Sequence, residues 1–395
     1  MNPFLSILIP TRNRAAYLKY AIQSALNITA DDIEIIVSEN FSSDNSLEVC
    51  NSFNDPRLKI IRPTTPLPMH ENWELLLQKS RGEWVTFVGD DDAVMPHCLA
   101  HLKFLTDKYP RAEAIVSSKA YYFWDGTQES YGSQTASFIF SLGETWQDSK
   151  KQLQRCLDGN VDYRSLPQMY SGGFQRRSLI NRIIRAQNGE YFRSVTPDAY
   201  SALMAGIFTY RFLESGVPMV WGGTSPHRAL KSASGSHKDR KADFMGMHRE
   251  DSLTINRTLG DLEVFTMHLV FYEAYISAFP LTPYSELSVD RIKSLYLGAV
   301  QTFRAEGNEL AIEKLAKDLG FEVPPHTSNI FKPIVGKLFR IFKRIIAFRF
   351  TNISGELSKV VDSYISHSHQ DHPDILSLDN QLASSYAHWL EISRK

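Results

Sequence analysis

Cysteine is scarce in this chain, and neither sign of charge prevails. The three cysteines among 395 residues are too few for a disulfide framework and too widely spaced for a local zinc site. We therefore expect a reducing, cytoplasmic environment. The formal net charge of -1 gives no electrostatic reason to expect a nucleic-acid partner. With 43% hydrophobic residues, the chain can bury a large core in two or three domains.

Long apolar runs are also missing. No uncharged apolar run of the sequence approaches the roughly 20 residues that a membrane-spanning helix needs. The apolar run at residues 1–10 is short and is followed at once by Arg12 and Arg14, a pattern unlike that of a signal peptide. We expect this run to form a first strand, in a protein that is soluble or peripherally bound to a membrane.

Short apolar runs alternate with helical patterns along the first part of the chain. Apolar residues recur at helical spacing over residues 15–27, which predicts an amphipathic helix there. The apolar runs are typical of strands that are buried on both faces. They lie at residues 5–9, 33–37, 58–61, 84–88 and 114–117. The alternation predicts an α/β domain with a mostly parallel, Rossmann-like central sheet.

Three polar loops follow strands of this predicted sheet, at residues 10–14, 38–40 and 89–92. Because ligands of such sheets bind beyond the carboxyl ends of the strands, we expect these loops to line one crevice. The third loop contains three consecutive aspartates, Asp90, Asp91 and Asp92. Clustered carboxylates suit a hard cation such as Mg²⁺ or Mn²⁺ that also binds phosphates, although a solvated acidic loop is the alternative.

The motifs of these loops resemble one known family. The segments are ILIPTRNR at 7–14, EIIVSEN at 34–40, Asn72-Trp73, GEW at 82–84, GDDD at 89–92 and Met95-Pro96. Together they resemble family 2 glycosyltransferases of the GT-A fold, of the type that builds bacterial surface polysaccharides. The resemblance covers about the first 230 residues. It implies a GT-A catalytic domain at residues 1–245 and leaves residues 246–395 as a helical C-terminal domain.

The resemblance implies roles for residues that would bind the donor nucleotide. Pro10 and Thr11 would line the base pocket, and Glu39 would accept a hydrogen bond from a pyrimidine N3–H. Aspartate is usual in the family at the position of Glu39, which leaves the base less certain. A UDP-sugar is the favoured donor, and dTDP- or GDP-sugars are the alternatives. Arg14 and Lys79 are candidate contacts to sugar or phosphate, with a solvated helix residue as the alternative for each.

The resemblance also implies a metal site that holds Mn²⁺ or Mg²⁺. Asp90, Asp91 and Asp92 are the predicted carboxylate ligands, with Asp90 and Asp92 as the outer pair of a D-x-D motif. Asp90 would contact either the ribose or the metal, and Asp91 would share in binding the nucleotide. In a polar segment after residue 233, His237 is a candidate metal ligand, with His227 and Arg228 as the alternative source of cationic groups.

Inverting transfer needs a general base that removes the proton of the acceptor hydroxyl. The resemblance assigns this role to Asp198, which follows Pro197 and precedes a helix predicted over residues 201–214. The structural alternative is a carboxylate that merely favours the positive N-terminus of that helix.

These patterns predict a metal-dependent inverting glycosyltransferase that acts on a polysaccharide acceptor such as a capsule, an O-antigen or a lipid-linked glycan. A nucleotidyltransferase is one alternative, although the loop at residues 10–14 lacks the glycines expected of a phosphate loop. A non-catalytic nucleotide-sugar-binding module is another. Residues 327–350 contain basic and apolar side chains but no acidic one, and they predict an amphipathic helix on an anionic inner membrane surface or packed on the protein.

Overall fold

The computed structural model describes most of the first 226 residues and parts of the remainder. The described residues are 2–127, 133–138, 140–141, 143–157, 160–161, 163–226, 274–275, 277–278, 293, 296–301, 304, 309–325 and 374–393. The predicted ligand His237, its alternatives His227 and Arg228, the basic segment 327–350 and the predicted domain boundary after residue 245 lie outside these ranges.

Twelve strands are described, and they form two sheets. They are β1 Leu5–Thr11, β2 Ile33–Glu39, β3 Leu58–Ile61, β4 Trp84–Phe87, β5 Ala93–Val94, β6 Ala114–Ser117, β7 Ala120–Phe123, β8 Thr135–Ser137, β9 Glu144–Asp148, β10 Gly173–Arg176, β11 Arg211–Ser215 and β12 Val220–Thr224. The helices are α1 Ala15–Leu26, α2 Ser46–Asn51, α3 Met69–Lys79, α4 Cys98–Lys108, α5 Ser149–Leu157, α6 Arg177–Ala186, α7 Pro197–Phe208, α8 Glu309–Leu319 and α9 Asp379–Ser393.

The larger sheet has eight strands in the order β3-β2-β1-β4-β10-β6-β11-β9. Strands β3, β2, β1 and β4 pair in parallel, as do β6 and β11, whereas β10 and β9 run antiparallel to their neighbours. The predicted α/β fold with a mostly parallel central sheet is therefore confirmed. Every residue of β2 is buried, in keeping with a strand that is covered on both faces.

The predicted secondary structure is confirmed up to β6 within one or two residues at each end. The helix predicted over residues 201–214 is wrong at both ends. Helix α7 begins at Pro197 and ends at Phe208, and Arg211–Ser215 is strand β11. This strand lies between β6 and β9, so sheet pairing outweighs the helical pattern of its sequence.

The smaller sheet has the order β5-β12-β7-β8 and lies at the carboxyl end of β4. Its short strand β5 follows the aspartate triplet directly and pairs with β12 in register Trp221 to Ala93. The larger sheet therefore supplies the start of the acidic loop, and the smaller sheet supplies its end. Residues on β12 consequently lie beside the triplet, although they are far from it in the sequence.

The C-terminal helix α9 packs on the smaller sheet and on α4. Its Tyr386 stacks on His97 with ring centroids 4.6 Å apart, and its Trp389 meets His101 edge-on at 4.9 Å. Burial lowers the pKa of His97 to about 4 and that of His101 to about 3, so both rings are neutral near pH 7. The end of the chain thus shares an apolar cluster with the sheet that supports the acidic loop.

We searched the described helices for one long and apolar enough to cross a bilayer, and none of them meets this requirement.

Candidate active site

The aspartate triplet lies in the loop between β4 and β5, at the carboxyl end of β4. All three residues are buried: Asp90 is 9% exposed, Asp91 7% and Asp92 1%. A solvated acidic loop would leave these carboxylates in water, so that alternative is wrong. Burial of adjacent carboxylates costs free energy unless partners compensate for it, and each of the three has a different set of partners.

Asp90 faces the loop that follows β1. Its Oδ1 lies 3.5 Å from Nε of Arg14, and the nearby Thr11 hydroxyl and Arg12 backbone N–H act to lower the pKa of its carboxyl. Two residues predicted to bind the donor, Thr11 and Arg14, are therefore at the triplet. The guanidinium group partly balances the negative charge of the acidic loop.

Asp91 is held by residues of the smaller sheet. Its Oδ2 accepts a hydrogen bond of 2.5 Å from the hydroxyl of Ser225, which in turn accepts one of 2.9 Å from Nη1 of Arg14. Its backbone carbonyl accepts a hydrogen bond of 2.8 Å from Nε1 of Trp124. These contacts fix the centre of the triplet from both its side chain and its backbone.

Asp92 points into the protein. Its Oδ2 accepts a hydrogen bond of 2.8 Å from the backbone N–H of Gly89, and its Oδ1 accepts one of 2.6 Å from Gly223. The hydroxyl of Tyr170 lies beside this carboxylate and acts to lower its pKa. Strand β12 approaches so closely that a Cβ at Gly223 would lie 1.6 Å from the carbonyl oxygen of Asp91. Asp92 therefore joins the acidic loop to β12.

The electrostatics of the triplet follow from this burial. Burial raises the pKa of Asp90, the Arg14 guanidinium opposes the shift, and the charge of Asp91 adds to it. Burial and the charge of Asp91 likewise raise the pKa of Asp92, against the hydrogen bonds that its carboxylate accepts. A cation at this position would relieve the repulsion among the three carboxylates.

The predicted base pocket lies one strand away. Thr11 at the end of β1 is opposite Glu39 at the end of β2, and Pro10 is opposite Ser38. Glu39 is fully buried; its Oε1 accepts a hydrogen bond of 2.5 Å from the backbone N–H of Ser42, and its Oε2 lies 3.0 Å from Nε of Arg62. The loops after β1, β2 and β4 thus meet at one edge of the sheet, as predicted.

Asp198 lies in the first turn of α7, where its charge favours the positive end of the helix. Its Oδ2 accepts a hydrogen bond of 2.7 Å from the hydroxyl of Tyr163. Its backbone carbonyl accepts one of 2.8 Å from Ser201, whose Oγ accepts a 3.1 Å bond from the backbone N–H of Met169. The backbone carbonyl of Met169 accepts a 2.8 Å bond from Phe87 N–H at the end of β4. Asp198 is thus linked to the strand that leads into the triplet.

Lys79 is not at this edge of the sheet. It is the exposed last residue of α3, and the chain passes from it to the start of β4, whereas the triplet follows the end of β4. The prediction that Lys79 contacts sugar or phosphate is therefore wrong, because helix α3 carries it to the opposite edge.

Several residues of the site were not predicted from the sequence. They are Trp124, Tyr163, Tyr170, Gly223 and Ser225. The paired glycines of β12 were an available signal, because glycine inside a strand often marks a close approach of another backbone. The other four residues had no local signal, since each acts through a contact between distant parts of the chain.

The oxygen-rich donor set of the acidic loop fits a hard divalent cation. Over the described ranges, no group of three or more histidine, cysteine, aspartate or glutamate side chains is arranged as a complete metal cage. Magnesium-type sites commonly use one or two carboxylates and take their remaining ligands from substrate phosphates and water. The triplet is therefore suited to a cation that binds together with a diphosphate.

Part of the chain is similar to known proteins. A family model described as glycosyl transferase family 2 matches residues 6–168. An uncharacterized glycosyltransferase of Haemophilus influenzae is 34% identical over 95 residues, 23% of this chain and 38% of the relative. A GalNAc(5)-diNAcBac-PP-undecaprenol beta-1,3-glucosyltransferase of Campylobacter jejuni is 36% identical over 103 residues, 25% of this chain and 33% of the relative.

Solved structures give a more distant likeness. The crystal structure of S. aureus TarS 1-349 in complex with UDP-GlcNAc has a TM-score of 0.46 and 15% identity, and the alignment covers 81% of this chain and 89% of that one. The chain spans 33% to 38% of the length of the two curated relatives above. The matched region contains β1, β2, β4 and the triplet. Residues 6–168 of the chain therefore match glycosyltransferase family 2, the family that the sequence motifs resemble.

Proposed function

We propose that the chain transfers a sugar from a nucleoside-diphosphate donor to a hydroxyl group of a glycan acceptor, with inversion at the anomeric carbon. The observation that carries this proposal is the buried acidic triplet at the carboxyl end of β4, with Arg14 beside it and Asp198 linked to the same strand. The family match supports it independently. The Campylobacter relative is named as acting on an undecaprenol-linked glycan, which supports a bacterial polysaccharide or lipid-linked acceptor.

In this proposal the loops after β1 and β2 bind the nucleoside. Pro10 and Thr11 form one wall, and Glu39 lies on the next strand. Oε1 of Glu39 already accepts the backbone N–H of Ser42, whereas Oε2 has an ion pair with Arg62 but no hydrogen bond, so Oε2 is the atom that would accept a pyrimidine N3–H. A UDP-sugar is the favoured donor, and GDP- and dTDP-sugars are the alternatives.

Asp90 and Asp91 would hold Mn²⁺ or Mg²⁺. Because both oxygens of Asp92 already accept backbone N–H groups, we propose that Asp92 shapes the loop instead of binding the metal. A bound cation would offset the negative charge that develops on the leaving diphosphate. Arg14 lies 3.5 Å from Asp90 and would add a fixed positive charge on the same side.

Asp198 would act as the general base. The acceptor oxygen attacks the anomeric carbon, the bond from that carbon to the diphosphate oxygen breaks, and the acceptor proton passes to the Asp198 carboxylate. The hydrogen bond from Tyr163 holds Oδ2 of Asp198 in a defined orientation for this proton transfer. The nucleoside diphosphate leaves with the electron pair of the broken bond.

A panel of donors tests the proposal. The purified full chain should bind one class among UDP-, GDP- and dTDP-sugars in the presence of Mn²⁺, and should slowly hydrolyse that donor to free sugar and nucleoside diphosphate. Calorimetry would measure the binding, and chromatography the hydrolysis. Absence of both would contradict the proposal. Release of pyrophosphate would indicate a nucleotidyltransferase, and binding without any turnover would indicate a binding module.

We also propose that residues 327–350 attach the protein to an anionic membrane surface. This segment has cationic and apolar side chains and no acidic one, a composition that favours adsorption to anionic lipid. The full chain should co-sediment with vesicles that contain phosphatidylglycerol, and less so at high salt. A chain lacking residues 327–350 should remain in the supernatant. Equal sedimentation of the two chains would rule out this attachment.

A further inference from the structure

Tyr170 lies beside the acidic triplet, and the charge of Asp198 also acts on its hydroxyl. The Tyr170 hydroxyl lies beside the carboxylate of Asp92 and acts to lower the pKa of that group. A Cβ at Gly89 would lie 2.8 Å from Oδ2 of Asp92 and 2.9 Å from the Tyr170 hydroxyl oxygen, so the two oxygens lie beside the same backbone position. The acidic loop is thus fixed from three directions, by Gly89, by Gly223 and by Tyr170.

The backbone and ring of Tyr170 are themselves held in place. The residue forms a β-bridge with Phe87, and its ring packs against that of Trp73 with centroids 5.6 Å apart. The next residue, Ser171, has a φ of 49°, which is unusual for a residue other than glycine. Its carbonyl accepts a hydrogen bond of 2.7 Å from the ammonium group of Lys119, which holds this turn in its left-handed conformation.

The same short segment also reaches the candidate base. Met169, which precedes Tyr170, donates its backbone N–H to Ser201, and Ser201 donates its hydroxyl to the carbonyl of Asp198. Burial raises the pKa of Tyr170 well above its ordinary value, and the charges of Asp92, Asp91 and Asp198 add to the shift. The charges of the acidic triplet and of Asp198 therefore both act on the Tyr170 hydroxyl.

We propose that Tyr170 is a positioning residue for the donor site. Its hydroxyl holds Asp92, and through Asp92 it keeps the acidic loop in the conformation that presents Asp90 and Asp91 to the donor diphosphate and its cation. The ring contacts protein rather than substrate. This inference rests on the proposed function and adds to it a residue outside the predicted motifs.

The variant Tyr170→Phe tests this role, because it removes the hydroxyl and keeps the ring that packs on Trp73. We expect the Kd of UDP, measured by calorimetry with Mn²⁺, to rise about tenfold, in keeping with the loss of a polar contact to a charged group. The kcat at saturating donor should change much less. A hydroxyl with a purely structural role would lower the melting temperature but leave the Kd of the folded protein unchanged.

Tyr163→Phe is the matched control, since it removes a tyrosine hydroxyl that donates to Asp198 instead. This variant should lower kcat and leave the Kd of UDP unchanged. Tyr170→Phe should do the reverse, raising the Kd and changing kcat much less. A Kd for folded Tyr170→Phe equal to that of the wild type would overturn the inference and leave the proposed function intact. Failure of the wild type to bind either UDP or GDP with Mn²⁺ would overturn both.

Discussion

Asp198→Asn should abolish sugar transfer while leaving donor binding intact. An amide cannot accept the proton of the acceptor hydroxyl, and loss of a general base costs about 10²- to 10⁴-fold in rate. The side chain keeps its shape, and its oxygen can still accept the hydrogen bond from Tyr163. The first turn of α7 should therefore remain folded. The measurements are the initial rate of transfer and the Kd of the donor with Mn²⁺.

The exposed acid Glu190 provides the control for this prediction. Glu190→Gln makes the same chemical change on the loop before Asp198, and it should leave both the rate and the Kd unchanged. If Asp198→Asn loses donor binding together with activity, Asp198 has a structural role at the start of α7. If Asp198→Asn retains the full rate of transfer, another group removes the proton.

The parts of the fold that were predicted correctly depend on local patterns. The runs that became β1, β2 and β4 are short and apolar with polar loops after them, and a parallel sheet brings the ends of such strands to one edge. This rule alone was sufficient to place Thr11, Glu39 and the triplet together. Here the order of strands and helices along the chain was enough to locate the site.

The parts that were missed depend on contacts over long sequence separations. Ser225 bonds to Asp91 across 134 residues, and Gly223 bonds to Asp92 across 131. Nothing in the local sequence of either partner specifies such a pairing, because it follows from the order of strands in the smaller sheet. The packing of α9 on that sheet is a similar case, since its Trp389 reaches the carbonyl of Ser141 across 248 residues.

The end of α7 shows that pairing in the sheet can outweigh the local preference for a helix. Residues 208–215 include the aromatic and β-branched side chains that favour strands, yet their apolar spacing also continued the helical pattern. Thr209 has extended backbone angles and ends the helix. The chain then enters β11, where Phe212 and Leu213 are buried between β6 and β9. Burial in the sheet therefore makes this segment a strand and not a continuation of the helix.

Asp91→Asn should weaken donor binding and Asp92→Asn should weaken folding, because the two carboxylates have different partners. Asp91 lies beside Ser225 and is the carboxylate that we assign to the cation. Its amide variant should fold normally and weaken Mn²⁺-dependent binding of the donor about 100-fold, since an amide is a poorer ligand for a hard cation. The Kd of UDP with Mn²⁺ and the melting temperature are the two measurements.

Asp92→Asn should instead reduce the free energy of unfolding. Each oxygen of Asp92 accepts a backbone N–H, from Gly89 or from Gly223, and an amide places an NH₂ group against one of these donors. A buried donor without an acceptor costs about 1–3 kcal/mol, which lowers the melting temperature by several degrees. This loss should be present without metal or donor. If Asp92→Asn melts like the wild type and loses Mn²⁺ binding, Asp92 is the metal ligand, and the predicted D-x-D pair of Asp90 and Asp92 replaces the assignment to Asp91.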